Sequence, residues 1–254
     1  MFPEIQLSDS ISIPTYLLFL SLLYCFLIFY VYRRAESRSD DLKIALDLAL
    51  ILMVAGFLGG RLLHVFYEAP QYYALDWTRV FQFWQGGFVF YGGFLLAIVA
   101  CLVYVHYKKV SFIHWADFFA PVMALGYGLG RISCFLAGCC YGRACDMPWA
   151  LQFPWDPERI WRHPTQIYAA VWELGVFGIL ILMEKRRFHV TRPGEIFFFW
   201  VFMHGIGRLV MEYYRDDFRG SLIAGMTIST WISLSLMSFA GCYLAFHSQR
   251  KIQL

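Results

Sequence analysis

GYGLGRISCFLAGCCYG, Gly126 to Gly142, is the stretch on which the fold turns. Five of its seventeen residues are Gly, three are Cys (Cys134, Cys139, Cys140), one is Arg131, and none is acidic. It closes an apolar run that begins near Ile113. An arginine at the mouth of a membrane helix is costly unless it meets an anion or lines a polar cavity. Glycine-rich backbone beside it can approach a ligand closely and point N–H groups at it. The stretch therefore reads as the rim of an anion-binding site in a membrane protein.

Composition agrees with a membrane setting. Of 254 residues, 59% are hydrophobic and only 15% charged, against about 25% charged in soluble domains. The net charge of +3 comes with no basic tract suited to nucleic acid. The first fourteen residues lack the basic and apolar regions of a cleavable signal peptide. Seven Cys do not define a disulfide framework here, although four cluster between Cys134 and Cys145.

Seven stretches are apolar enough to cross a bilayer, which takes about 20 residues. They are Pro14–Tyr32, Ala45–Tyr67, Phe88–Tyr107, Ile113–Leu129, Thr165–Met183, Glu195–Met211 and Ser221–Phe246. The expected class is an all-α polytopic bundle of about seven transmembrane helices, forming one domain over residues 1–254. With the amino terminus outside, the inner segments carry twelve of the twenty-one Lys and Arg, including all five Lys. That places the carboxyl terminus in the cytoplasm. The nine remaining cations are all Arg, whose planar fork suits phosphate or carboxylate. The outer-face segments are 68–87, read as an aromatic interfacial helix, 133–164, an irregular cap, and a short Asp216–Gly220 turn.

Several residues are candidates for chemistry. Arg61, Arg131, Arg143 and Arg208 each follow a glycine directly and lie near one membrane face. Each alone reads equally as a snorkelling side chain or, for Arg208 and Glu212, as an i, i+4 pair. Together they favour a shared anion, and a phospholipid headgroup is the most available one at that depth. In WQGGFVFYGG, Trp84 to Gly93, two glycine pairs bracket Tyr91, which reads as an interfacial anchor or a hydrogen-bonding site residue beside Gly92 and Gly93. Gln166 is polar inside an apolar span, with His163 and Tyr168 near it, and capping or interhelical bonding is the simpler reading. The C-x4-CC-x4-C spacing fits zinc poorly and suits packing or a disulfide better, so no metal is expected.

These pieces resemble the prolipoprotein diacylglyceryl transferase family over nearly the whole chain. The matching motifs, in order, are GFLGGRLLHVFY, FWQGGFVFYGG, GLGRISCFLAGCCYGR, HPTQIYAAVWELG and PGEIFFFWVFMHGIGRLVMEYYR. The resemblance implies a multi-pass enzyme of the bacterial cytoplasmic (inner) membrane. It would move the diacylglyceryl group of phosphatidylglycerol to the lipobox cysteine thiol of preprolipoprotein signal peptides and release glycerol phosphate. Membrane lipids and those signal peptides are its implied partners, with no metal, organic cofactor or nucleic acid. By the resemblance Arg131 and Arg208 handle the phosphate, Glu212 is the acid of the sixth span, and Tyr91 stands in the catalytic set. Arg61, Gly92, Gly93, Cys134, Gly138, Gly142, Gln166 and Tyr168 fall in the substrate-binding set.

The departures bear on the base and the acceptor. Many members carry His where Tyr91 stands, Asn where Cys134 stands and an acid where Cys139 stands. A tyrosine, with an ordinary pKa of about 10, is a poor base. Two other readings stay open: a paralogue with the same lipid donor and another acceptor, or a non-catalytic lipid-binding or thiol–metal protein. A transporter would place more acids deep in its spans than Asp47, Asp117, Glu173 and Glu184.

Overall fold

With no water in the bilayer core, a chain this apolar satisfies its backbone most simply as helices, and helices dominate the computed structural model. It describes residues 4–8, 11–186, 192–215 and 224–249. A two-stranded antiparallel hairpin, β1 (Glu4–Ser8) and β2 (Ile11–Pro14), leads directly into α1 (Thr15–Arg38). Then follow α2 (Leu42–Leu63), the short α3 (Pro70–Ala74), α4 (Phe90–Tyr107), α5 (Phe112–Ala137), α6 (Thr165–Arg186), α7 (Glu195–Tyr214) and α8 (Ile228–Gln249). Six of these are long and apolar enough to span a membrane, and α4 supplies a shorter apolar segment. The protein is a multi-pass membrane protein.

The chain divides into two compact units, residues 1–27 with 116–254, and residues 28–115. In the second unit α2 and α4 cross through glycine. A Cβ on Gly59 would run into the carbonyl of Gly92, one on Gly92 into that of Gly59, and one on Gly93 into that of Gly56. Such close backbone approach is how small residues drive helix association in lipid. Asp47 accepts from the Tyr104 hydroxyl across the same pair.

In the first unit α5, α6 and α7 enclose a core of Ala120, Ala124, Val176, Leu180 and Ile196. Asp117 caps α7 from α5, accepting from the Gly194 N–H at 2.6 Å and the Phe197 N–H at 2.8 Å. These are two of the donors that every helix start leaves open.

Two features depart from the expected outline. The fourth span does not stop at Leu129; α5 continues to Ala137, so Arg131 and Cys134 are helical and the backbone N–H groups there serve the helix. Gly128 is used for packing, since a Cβ there would lie 3.0 Å from Leu174. The 68–87 segment is not one interfacial helix. It is a π-turn (His64–Glu68), α3, and two 3-10 turns, Trp77–Phe81 and Phe83–Gln85. The Asp216–Gly220 turn lies outside the described residues.

Candidate functional site

The site residues of the first unit collect on α5, α6 and α7. The sequence HGIGRLVME places His204, Arg208 and Glu212 at intervals of four, one above another on a single face of α7. Arg208 is held from two sides. One guanidinium nitrogen donates to Ser229 Oγ at 2.6 Å and lies 3.7 Å from Glu212 Oε2. Glu212 in turn accepts from the Thr227 hydroxyl at 2.7 Å. The arginine is thus positioned before any substrate arrives, and only part of its five-donor fork is committed.

Arg208 lines a small cleft with Tyr127, Trp172, Glu173, Gly207 and Met211. The cleft is small, with about 170 Å³ of atom-free space counting what is open to solvent. Gly207 makes room for the Trp172 wall, because a Cβ there would sit 2.5 Å from the indole. The indole N–H is fixed on the Met203 carbonyl at 3.0 Å.

Arg131 joins this cleft through Tyr127. It donates to the Tyr127 hydroxyl at 2.7 Å, with its guanidinium 4.7 Å from the centre of that ring. Among the described residues Arg131 has no carboxylate within ion-pair distance. A guanidinium without a carboxylate partner in an apolar bundle is suited to an anionic ligand.

The segment after α5 is pinned to the start of α6. Gln166, 1% exposed, donates to the Cys139 carbonyl, and the Thr165 hydroxyl donates to the Cys140 carbonyl at 2.9 Å. The Gln166 side-chain oxygen is buried with no hydrogen-bond partner. The thiols of Cys134, Cys139 and Cys140 lie within 4.8 Å of one another, and none of the three is in a disulfide. Hydrogen bonds from the other two, with help from the Arg215 and Arg131 charges, pull the Cys140 thiol well below its ordinary range. The same contacts push Cys139 up.

Gly138 and Gly142 serve the chain path. Gly138 has φ of 76°, a conformation that favours glycine. A Cβ on Gly142 would meet the Tyr214 carbonyl at 2.5 Å, where residues 142 and 215 bridge. Tyr168 accepts from the Trp149 indole at 2.6 Å and bonds His163 Nδ1 at 3.1 Å. The cap is locked by Arg162, which donates twice to the buried Asp156, at 2.7 and 3.0 Å, and once to Glu158 at 2.6 Å.

The second unit holds the other expected residues. Arg61 is 4% exposed and its donors go to main-chain carbonyls: Val80, Gly86, Gly87, Arg79 and Gln82. Rings of Tyr73, Phe83 and Phe88 lie 5.3–5.7 Å from the guanidinium. It shapes the 79–87 loop instead of presenting a free fork to an anion. Gly92 and Gly93 face the α2 backbone, as described above, and Tyr91 lies in the first turn of α4.

Sequence reasoning did not assign Tyr127, Glu173 or His204 to the site. The signal for His204 was present, four residues before Arg208. Glu173 showed as a lone acid inside an apolar span.

A family model described as prolipoprotein diacylglyceryl transferase matches residues 4–246. Among similar proteins is the phosphatidylglycerol–prolipoprotein diacylglyceryl transferase of Bordetella parapertussis, 35% identical over 204 residues, covering 78% of this chain and 76% of that one. The enzyme of the same name from Geobacter sulfurreducens is 34% identical over 233 residues, 88% and 87% of the two chains. That of Clostridium tetani is 30% identical over 205 residues, 80% of each. A match of this extent settles the kinship: the chain belongs to the prolipoprotein diacylglyceryl transferase family.

Proposed function

We propose that this protein transfers the diacylglyceryl group of phosphatidylglycerol to the cysteine thiol of prolipoproteins and releases glycerol phosphate. The observation that carries this reading is the match to transferases of that name over most of both chains. The cleft supports it chemically. Sulfur displaces phosphate at a glycerol carbon, so negative charge builds on the leaving oxygen. A preorganised arginine aimed at that charge stabilises the transition state more than the ground state. Arg208, fixed by Ser229 and Glu212, supplies this, and Arg131 is the second cation near Tyr127. The proposed setting is the bacterial cytoplasmic membrane, amino terminus outside, with residues 1–254 acting as one transferase domain.

The test is a reconstituted assay. Purified protein in phosphatidylglycerol vesicles receives a lipobox peptide, and both peptide mass and glycerol phosphate release are followed. A diacylglyceryl mass gain that requires the peptide cysteine is expected. Arg208→Ala and Arg131→Ala should each lower kcat by ~10²–10³-fold, the usual cost of removing one such donor, in protein that still inserts. Glycerol phosphate release without peptide modification would instead indicate another acceptor.

A further inference from the structure

One titratable pair beside the cleft has no part in handling phosphate. Glu173 on α6 is 2% exposed. Its Oε1 meets His204 Nδ1 at 2.5 Å, while Oε2 is buried with no hydrogen-bond partner. A carboxyl group in an apolar helix bundle is expensive and marks a functional position. Glu173 is also part of the cleft wall. His204 stands one helical turn from Arg208 and keeps 22% of its side-chain surface open. Its ring is braced by Tyr127, edge-on with centroids 4.8 Å apart, and by Trp200 at 5.4 Å.

A carboxylate that accepts Nδ1–H fixes the imidazole tautomer, leaves the Nε2 lone pair available, and stabilises the imidazolium that forms when Nε2 takes a proton. This arrangement answers a need of the reaction. A cysteine thiol has an ordinary pKa of about 8.5 and attacks only as thiolate.

We infer that His204 is the base that takes the proton of the acceptor thiol, and that Glu173 is its positioning residue. This rests on the diacylglyceryl-transfer reading. Nε2 takes the S–H proton, and the sulfur electron pair forms the S–C bond to the glycerol carbon of the lipid. The bond from that carbon to the phosphate oxygen breaks, and its pair leaves on glycerol phosphate. The imidazolium then returns its proton to water. Arg208, one turn along the helix, meets the phosphate charge, so base and electrophilic clamp lie on one helix face.

The groups against the ring are Glu173 from α6, Tyr127 from α5 and Trp200 on its own helix, with Arg208 one helical turn away and Arg131 bonded to the Tyr127 hydroxyl. From α8 the contacts at the adjacent Gly205 are Met237 and the Ser233 carbonyl, neither of which titrates.

The experiment is a pH–rate profile of the full chain in phosphatidylglycerol vesicles with the lipobox peptide. Wild type should show an acid limb in log kcat. His204→Gln should lower kcat at neutral pH by at least ~10²-fold, the usual worth of a general base, change the KM for lipid less than threefold, and abolish the limb. Its rate should recover towards wild type above about pH 9, where the thiol ionises unaided. Glu173→Gln should lower kcat and displace the limb while leaving KM alone. A wild-type measurement stands independently of variant folding: a selenocysteine peptide, ionised at neutral pH, should flatten the acid limb. A limb that persists with selenocysteine, or a His204→Gln enzyme with more than a third of wild-type kcat, overturns the assignment. So does a lipid KM raised tenfold with an unchanged limb. Absence of transfer by wild type would instead defeat the underlying function.

Discussion

Arg61 shows what a buried guanidinium does when its anion is replaced by carbonyls. Five main-chain oxygens from residues 79–87 converge on it, so the loop and the arginine satisfy one another. Removing it orphans those carbonyls inside an aromatic pocket. Arg61→Ala is expected to destabilise the fold by about 1–3 kcal/mol or more, the cost of leaving buried acceptors unsatisfied. Arg61→Lys should recover only part of this, because an ammonium has three donors and no planar fork. Thermal unfolding in detergent reads both, and an unchanged Tm in Arg61→Ala would contradict the clamp. Arg208 differs in kind: its partners are one hydroxyl and one carboxylate at 3.7 Å, which leaves donors for phosphate. Local spacing made the Arg208–Glu212 pair legible, since i, i+4 is a property of any helix. The Glu173–His204 contact spans thirty-one residues and exists only because α6 packs on α7, so no spacing rule could reveal it. The Gly-Gly before Arg61 resembled the setting of Arg131, and what separates them is the return of a distant loop.

At the scale of elements, the helices were readable because apolar length is the physical requirement for crossing a bilayer. Their ends were less so. The glycines of α5 looked like loop, yet a helix tolerates glycine where a neighbour needs the space, and Leu174 occupies it at Gly128. The α2–α4 crossing makes this testable. Gly59→Val and Gly92→Val each force a side chain into the opposing backbone, and overpacking of this kind costs ~1–3 kcal/mol or more. Gly56→Ala is the control, with nothing within 4 Å of its Cβ. We expect both valine variants to lower the Tm of the purified protein and the alanine variant to leave it level or higher. The reverse order would mean that α2 and α4 are not held by this contact.

For the molecule as a whole, acid sensitivity follows from the 138–164 cap. The Arg162 hydrogen bonds hold the buried Asp156 carboxyl below its ordinary 3.8. A carboxyl depressed on folding contributes stability that is complete above the unfolded value and lost as pH falls through the folded one. His163 acts in the same direction at higher pH. Burial, with the Arg143 charge, lowers it from 6.5, so folding is opposed as pH drops below that value. Stability should therefore decline in two stages, first below about pH 6.5 and again below about 3.8. Asp156→Asn should weaken the protein at neutral pH and remove the second stage. Melting temperature against pH, with proteolysis of the cap as a local readout, checks this; a second stage that survives in Asp156→Asn would assign it elsewhere.

The eighteen residues of α4 make a cylinder of about 27 Å at ~1.5 Å per residue, and the apolar part of α1, residues 15–32 before its charged RRAESR end, has the same length. Both fall a little short of a hydrocarbon layer of ~30 Å, so snorkelling flanks and slight local thinning of the lipid are expected beside them.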